Sequence, residues 1–304
     1  MGGERSGARK WCRRSSVRID ALTTEAVQRM ATVIARENGI TIARASLQRL
    51  RAACENIVPD RLIRNPVDMR RIRLARHTPV ERRPLDDAEV AALLATGDDV
   101  ELMAHYSRYG IALWLMALLG LRRGEACGVS WRDLNWDKAE LHIRQAMSRA
   151  RDGGFALGPI KTPSGVRVLP VGPRLLTRLR DHWTLQQAER KLRGSAWAEH
   201  GRIVAQENGE PLAPYNLNAL LLCLRQITHG TRHIHPHLLR HTLATLISEE
   251  GYSEAVIADI LGHSKGGNVT RRYTHATEKA KRNAVIAAEN RVFRPASEGK
   301  REAQ

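Results

Sequence analysis

The chain has 304 residues, 42% of them hydrophobic, which excludes a wholly disordered polymer and allows one large or two ordinary domains with a sizeable core. Lys and Arg number 49 against 32 Asp and Glu, a formal net charge of +17, so a polyanion is the expected partner and nucleic acid outranks an anionic membrane, for which no basic amphipathic helix with an aromatic face stands out. The longest apolar run, Ile111 to Leu121, is about half of the ~20 residues that a membrane span needs. Four scattered cysteines without a CxxC pair argue for a reducing compartment, and no apolar segment follows the basic N-terminus as a secretory signal would require.

Residues 1–84 carry 19 Lys and Arg against 8 Asp and Glu, a net of +11, so the charge is concentrated toward the N-terminus. Residues 1–17 read as a flexible basic arm. Over 18–79 a small helical domain is expected. Its first helix follows Thr23-Thr24, with Leu22, Ala26, Met30, Val33 and Ile34 at helical spacing. A second carries Ala45, Leu47, Leu50 and Ala53 on one side and Arg44, Arg49 and Arg51 on the others; it ends before Asn65-Pro66. Residues 70–84 read as a basic linker. A second domain, 80–290, opens with a capping box (Asp86 and Glu89) and a hydrophobic staple (Leu85 and Val90).

Within it a buried helix is expected over Ile111–Leu121, closed by the polar turn Arg122-Arg123-Gly124-Glu125. Small antiparallel strands follow over 140–171, with Leu141, Ile143, Val166 and Val168 alternating with polar neighbours and a turn at 161–165. Helices are expected at 173–193, 214–227, 237–250 and 253–261, the last bounded by Ser253 and Gly262. Another spans Glu278–Asn290, and 291–304 reads as a polar tail.

Three segments carry chemistry only when taken together. They are Gly120-Leu121-Arg122-Arg123-Gly124-Glu125, then His237-Leu238-Leu239-Arg240-His241, then Leu261-Gly262-His263-Ser264 with Tyr273-Thr274-His275. Guanidiniums and imidazoles suit the developing negative charge of a phosphodiester transition state. A tyrosine hydroxyl, with an ordinary pKa of about 10, needs such a positive site to become a nucleophile. Taken singly, each segment has a plainer reading: an arginine at a helix end, core-facing leucines, a half-buried tyrosine. The alternating His233, His235 and His237 raise a metal site, but Pro236 and the helix that follows redirect the side chains. Trp131 and Trp136 read as packing groups rather than stacking platforms.

In order, these segments resemble the motifs of the tyrosine recombinase (phage integrase) family: GLRRGEACGVSW at 120–131, HLLRHTLATL at 237–246, and LGHS with RYTH at the end. PIKTPSGVRVLPV, at 159–171, is similar to the hairpin that carries the family's active-site lysine, and 19–69 resembles its helical core-binding domain. Two departures stand out. Leu238 occupies a position where a small or acidic residue is common, and the ten positions from His263 to Tyr273 are one more than usual.

The resemblance implies a mainly α fold with a small antiparallel β-sheet, in which a helical core-binding domain, here short, and an α+β catalytic domain clamp duplex DNA. It implies a site-specific recombinase or integrase that works through a covalent 3′-phosphotyrosyl intermediate without metal or ATP. Arg122 and Arg240 would hold the non-bridging oxygens, with His237 beside Arg240 in the second motif. Glu125 would support the site, Lys161 would protonate the leaving oxygen, His263 would hydrogen-bond the phosphate and Tyr273 would attack. Arg44, Arg49 and Arg51 are candidate DNA contacts. A homotetramer on paired sites, accessory DNA-bending proteins, and a cytoplasmic, nucleoid-associated location are further expectations. The 278–290 helix resembles the one that docks on a neighbouring protomer, or else packs within its own chain. The alternatives are a non-catalytic DNA-binding regulator derived from a recombinase and a strand-relaxing enzyme of type IB topoisomerase chemistry.

Overall fold

The computed structural model describes residues 18–60, 62–75, 83–150, 152–160, 162–227, 234–263 and 276–294, and the chain divides into two compact units, 1–81 and 82–304. The basic arm, and residues 76–82 of the linker, lie outside the described residues. No helix among the described residues is long and apolar enough to cross a membrane.

The first unit is built on α1 (Thr24–Asn38) and α2 (Ile40–Glu55). Thr23 caps α1 by accepting from Ala26 N, and Gly39, at φ 88°, makes the bend between the helices. The apolar face is rotated from the expected one. Val27 and Ala31 of α1 meet Ala43, Leu47 and Cys54 of α2 in the buried layer, with Leu22, Met30 and Leu50 at its edge and Ala53 exposed. Two alanines, Ala31 and Ala43, lie in this buried layer beside the larger Leu47. The helix α2 stops at Glu55, and Asn65 ties the following segment back to it by donating to Arg51 O and accepting from Val67 N, both at 2.9 Å. The first part of the expected linker folds back onto this unit. Ile72 is buried, and the Gln28 amide brackets the Arg73 backbone, accepting from its N at 2.7 Å and donating to its O at 2.9 Å.

The second unit starts as the sequence implies. Asp86 and Glu89 exchange backbone hydrogen bonds at 2.8 Å at the start of α3 (Asp87–Asp98), and Leu85 and Val90 are both buried. At the centre lies α4 (Gly110–Leu118), whose side chains are buried nearly all round, as its sequence GIALWLMAL requires. This helix is shorter than expected, because the chain turns into the left-handed region at Gly120, φ 63°. The expected polar turn is instead the start of a short helix, α5 (Arg123–Gly128), with Arg122 at its N-cap.

Five strands follow: β1 (Leu134–Asn135), β2 (Glu140–Ile143), β3 (Gln145–Arg149), β4 (Phe155–Pro159) and β5 (Arg167–Pro170). They form a three-stranded antiparallel sheet in the order β1-β2-β5 and a separate β3–β4 hairpin. The pairing Leu141↔Leu169 and Ile143↔Arg167 puts Arg167 and Leu169 on the inward face, so Val166 and Val168 are not the core positions that their alternation implied.

The remaining helices are α6 (Pro173–Arg193), α7 (Asn216–Ile227), α8 (Pro236–Glu249), α9 (Glu254–Leu261) and α10 (Glu278–Val292). Around α4 pack α3, α6 and α8. Leu239, Leu243, Leu246 and Ile247 of α8 enter the core together with Leu238, which accounts for an apolar residue at that position. Trp131 is buried and stacks on Trp136 at 5.9 Å, a packing role for both.

Helix α10 is seated in its own unit rather than left free for a neighbour. Ala284, Val285, Ala288 and Val292 join the core, and buried Glu289 accepts from Arg174 N and Leu175 N at the start of α6. The helix also runs past the expected boundary at 290, because Arg291 binds Asp87 and Glu249 and Phe293 stacks on Trp114. Residues 295–304 of the expected tail lie outside the described residues.

Candidate active site

The last turn of α9 leaves carbonyls without helical partners. Three consecutive ones are taken by three arginines from distant parts of the chain. Ile260 O accepts from Arg167 Nε at 2.7 Å, Leu261 O from Arg240 Nη2, and Gly262 O from Arg122 Nη2 at 3.3 Å. The helix dipole adds to the attraction at this end. Arg240 reaches a second helix terminus as well, donating from Nη1 to Gly120 O at 2.6 Å. Two glycines make this convergence possible. A Cβ on Gly120 would come within 2.5 Å of the Leu261 side chain, and one on Gly262 within 2.8 Å of Ser164 O.

Glu125 binds two of the three guanidiniums. It is buried, and accepts from Arg122 Nη1 at 2.7 Å and from Arg122 N and Arg167 Nη2 at 3.0 Å each. Burial alone would raise its pKa, but the field and hydrogen bond of Arg167, followed by the backbone and side-chain hydrogen bonds of Arg122, hold it below the ordinary carboxylate value. It is therefore ionised at neutral pH.

Arg240 is only 4% exposed. Burial, then repulsion from Arg122 and Arg167, pushes its pKa down to about 9 against the pull of Glu125, so it stays charged at pH 7. Loss of solvent around the His263 ring, then the fields of Arg240, Arg122 and Arg167, lower that imidazole below its usual value.

Arg122, Glu125 and Arg240 border a cavity of about 850 Å³, which neither Arg167 nor His263 lines. Arg122, Arg123, Glu125, Arg225, His235, His237 and Arg240 contribute its polar wall, and Leu221, Leu222, Ile234 and Pro236 its apolar wall. Arg122 presents a side chain that is 42% exposed, and His237 is exposed at the N-terminal end of α8. His235 is the N-cap of α8, accepting from Leu238 N at 3.2 Å, which takes it out of the alternating row. Among the described residues no group of three or more His, Cys, Asp or Glu could hold a metal ion; His229 and His233 lie outside them.

Of the expected site residues, Arg122, Glu125, His237 and Arg240 line one cavity, and His263 follows directly on the carbonyls that anchor the arginines. Lys161 and Tyr273 lie outside the described residues. The flanking Ile160 and Thr162 line the cavity, and Ala276 is tied to α9 through its N–H to Asp259 at 2.9 Å. Arg44, Arg49 and Arg51 are exposed on α2, in the other unit.

Sequence reading missed Arg167. The available signal was its place between Val166 and Val168, which puts a charge on the face opposite to the two valines.

Comparison with known proteins agrees with this architecture. The profile of the Phage integrase family matches residues 83–280. A tyrosine recombinase XerC-like protein of Caldanaerobacter subterraneus subsp. tengcongensis is 30% identical over 188 residues, covering 57% of this chain and 47% of that one. An integrase of Saccharopolyspora erythraea is 25% identical over 288 residues, covering 77% of this chain and 62% of its own. In both cases the chain spans less than two thirds of the relative's length. Among solved structures, the Tn1549 transposon integrase in complex with a circular intermediate DNA superposes with a TM-score of 0.65 at 20% identity, over 90% of this chain and 89% of that one. A lambda integrase dimer bound to a COC′ core site gives 0.54 at 17% identity, over 91% and 85%. With the profile covering well over half of its length and the first two motifs meeting at one cavity, the chain belongs to the phage integrase family.

Proposed function

We propose that the chain is a site-specific DNA recombinase that cuts and rejoins duplex DNA through a 3′-phosphotyrosyl intermediate. The observation that supports this reading best is the convergence of Arg122, Arg240 and His237 on one cavity, with both guanidiniums anchored on backbone carbonyls. Arg122 and Arg240 bind the two non-bridging oxygens of the scissile phosphate, and their fixed forks stabilise the charge that builds up in the transition state. Neutral His263, beside them, hydrogen-bonds the phosphate.

The Tyr273 hydroxyl releases its proton to solvent as its oxygen attacks phosphorus, and the bond to the 5′ oxygen breaks. Lys161 supplies the proton to that leaving oxygen. Attack by the 5′-hydroxyl of a partner strand then reverses the step, so the ester's energy is kept and no external source is consumed. Recombination on paired sites implies a homotetramer, with accessory bending proteins where the DNA must be deformed.

The test is covalent trapping on genomic DNA from the source organism, followed by a nicked duplex made from the trapped sequence. Wild type is expected to form an adduct and Tyr273→Phe none; an adduct in the variant, or none in either, refutes the reading. Strand exchange between two copies of the site separates recombination from simple relaxation.

A further inference from the structure

Arg122 and Arg240 open onto the cavity, whereas Arg167 does not line it. Its side chain is 6% exposed, on the inward face of β5 opposite Ile143. Packing alone does not call for an arginine there, since an unbranched apolar side chain would fill similar space without burying a charge. All three of its nitrogens are in use, each on a different segment. Nη1 donates to Gly165 O at 2.9 Å, in the turn that follows residue 161. Nη2 donates to Glu125, which in turn holds Arg122 by side chain and backbone. Nε donates to Ile260 O, three residues before His263.

We propose that Arg167 is the positioning residue of this site. One planar fork sets the mutual register of the 163–165 turn, the 122–125 segment and the end of α9, and so the orientation in which Arg122 and His263 meet a phosphate. A lysine cannot do the same, because a single ammonium on a flexible stem does not bind three partners in a fixed plane. The inference rests on the recombinase reading of the cavity.

The test uses the full chain and inorganic phosphate as the probe, followed through the His263 ring resonance by NMR. In wild type, phosphate is expected to shift that resonance. Arg167→Met is expected to weaken phosphate binding by tenfold or more. It also moves the His263 titration midpoint upward, since one of the three guanidiniums that oppose its protonation is gone. Arg167→Lys, with the charge kept and the fork lost, is expected to weaken binding several-fold with a smaller change in the midpoint. A filler of the core would leave phosphate binding unchanged in both variants.

Should Arg167→Met fail to fold, because Glu125 loses its buried partner, the double variant Glu125→Gln/Arg167→Met removes both charges and is expected to show the same tenfold loss. A folded Arg167→Met or double variant that binds phosphate within twofold of wild type overturns the inference, as does a wild type whose His263 ignores phosphate. Failure of the recombinase reading is seen elsewhere, as wild type that forms no Tyr273 adduct, and it takes this inference with it.

Discussion

In the proposed reaction Arg122 and Arg240 share one phosphate, but they are supported by different means, and this separates the effects of removing them. Arg240 is buried and spans the C-termini of α4 and α9; without it the Gly120 and Leu261 carbonyls lose a charged donor. Each such bond contributes about 1.5–3 kcal/mol. Arg240→Ala is therefore expected to destabilise the chain by about 3 kcal/mol, read by denaturant unfolding, and to cut adduct formation by about 10²–10³, the loss seen when one oxyanion donor is removed. Arg122 is half open to solvent, and its departure leaves Glu125 still paired with Arg167. Arg122→Ala is expected to match the loss in cleavage while costing much less stability. Near-normal adduct formation by either variant would remove that arginine from the phosphate.

At the level of elements, the end of α9 is the place where the other motif segments are gathered, and its geometry depends on Gly262. This residue has φ 61°, and a Cβ would lie 2.8 Å from Ser164 O and 3.1 Å from the Arg167 side chain. Gly201 has the same φ of 61° with nothing within 4 Å of its Cβ position, so it isolates the backbone cost from the crowding. Gly201→Ala is expected to lose about 1–2 kcal/mol, the left-handed cost alone, with adduct formation unchanged. Gly262→Ala is expected to lose more stability and to slow adduct formation, since Arg167 must yield. Equal behaviour of the two variants would show that crowding at α9 does not reach the chemistry. The same contrast explains what could be read in advance. The Asp86–Glu89 box and the start of α3 lie within four residues of one another, so local spacing sufficed. Arg122, Glu125, His237, Arg240 and His263 were legible because each sits in a short motif whose order is distinctive. Arg167 was not legible, because its role depends on pairing with β2, and two interleaved sets of residues alternate equally well along β5. The short α4 and the helical start at Arg123 have local signals that the long apolar run masks: Gly120, at φ 63°, stops the helix with Leu121 N donating to Leu115 O at 3.4 Å, and Glu125 caps the next helix through Arg122 N.

For the whole molecule, the proposed function assigns affinity and chemistry to different charges. The chain's net charge is +17, of which +11 lies in residues 1–84, while the described residues that line the cavity all belong to the second unit. Most of the binding free energy for DNA should then come from counterion release by surface arginines that take no part in bond breaking. Arg44, Arg49 and Arg51 project from α2 into solvent. If all three rest on phosphates, replacing them together by alanine is expected to reduce the slope of log K against log salt by about 3, roughly 0.9 for each contact. Affinity at moderate salt falls accordingly. The rate of adduct formation from the fully bound complex stays near wild type, because the arginines that face the cavity are untouched. Fluorescence anisotropy on the trapped duplex across a salt series gives the slope, and a single-turnover assay at saturating protein gives the rate. An unchanged slope would place these three side chains away from the DNA. A slope that falls together with the saturated rate would show instead that the first unit helps to assemble the site, rather than only holding the duplex.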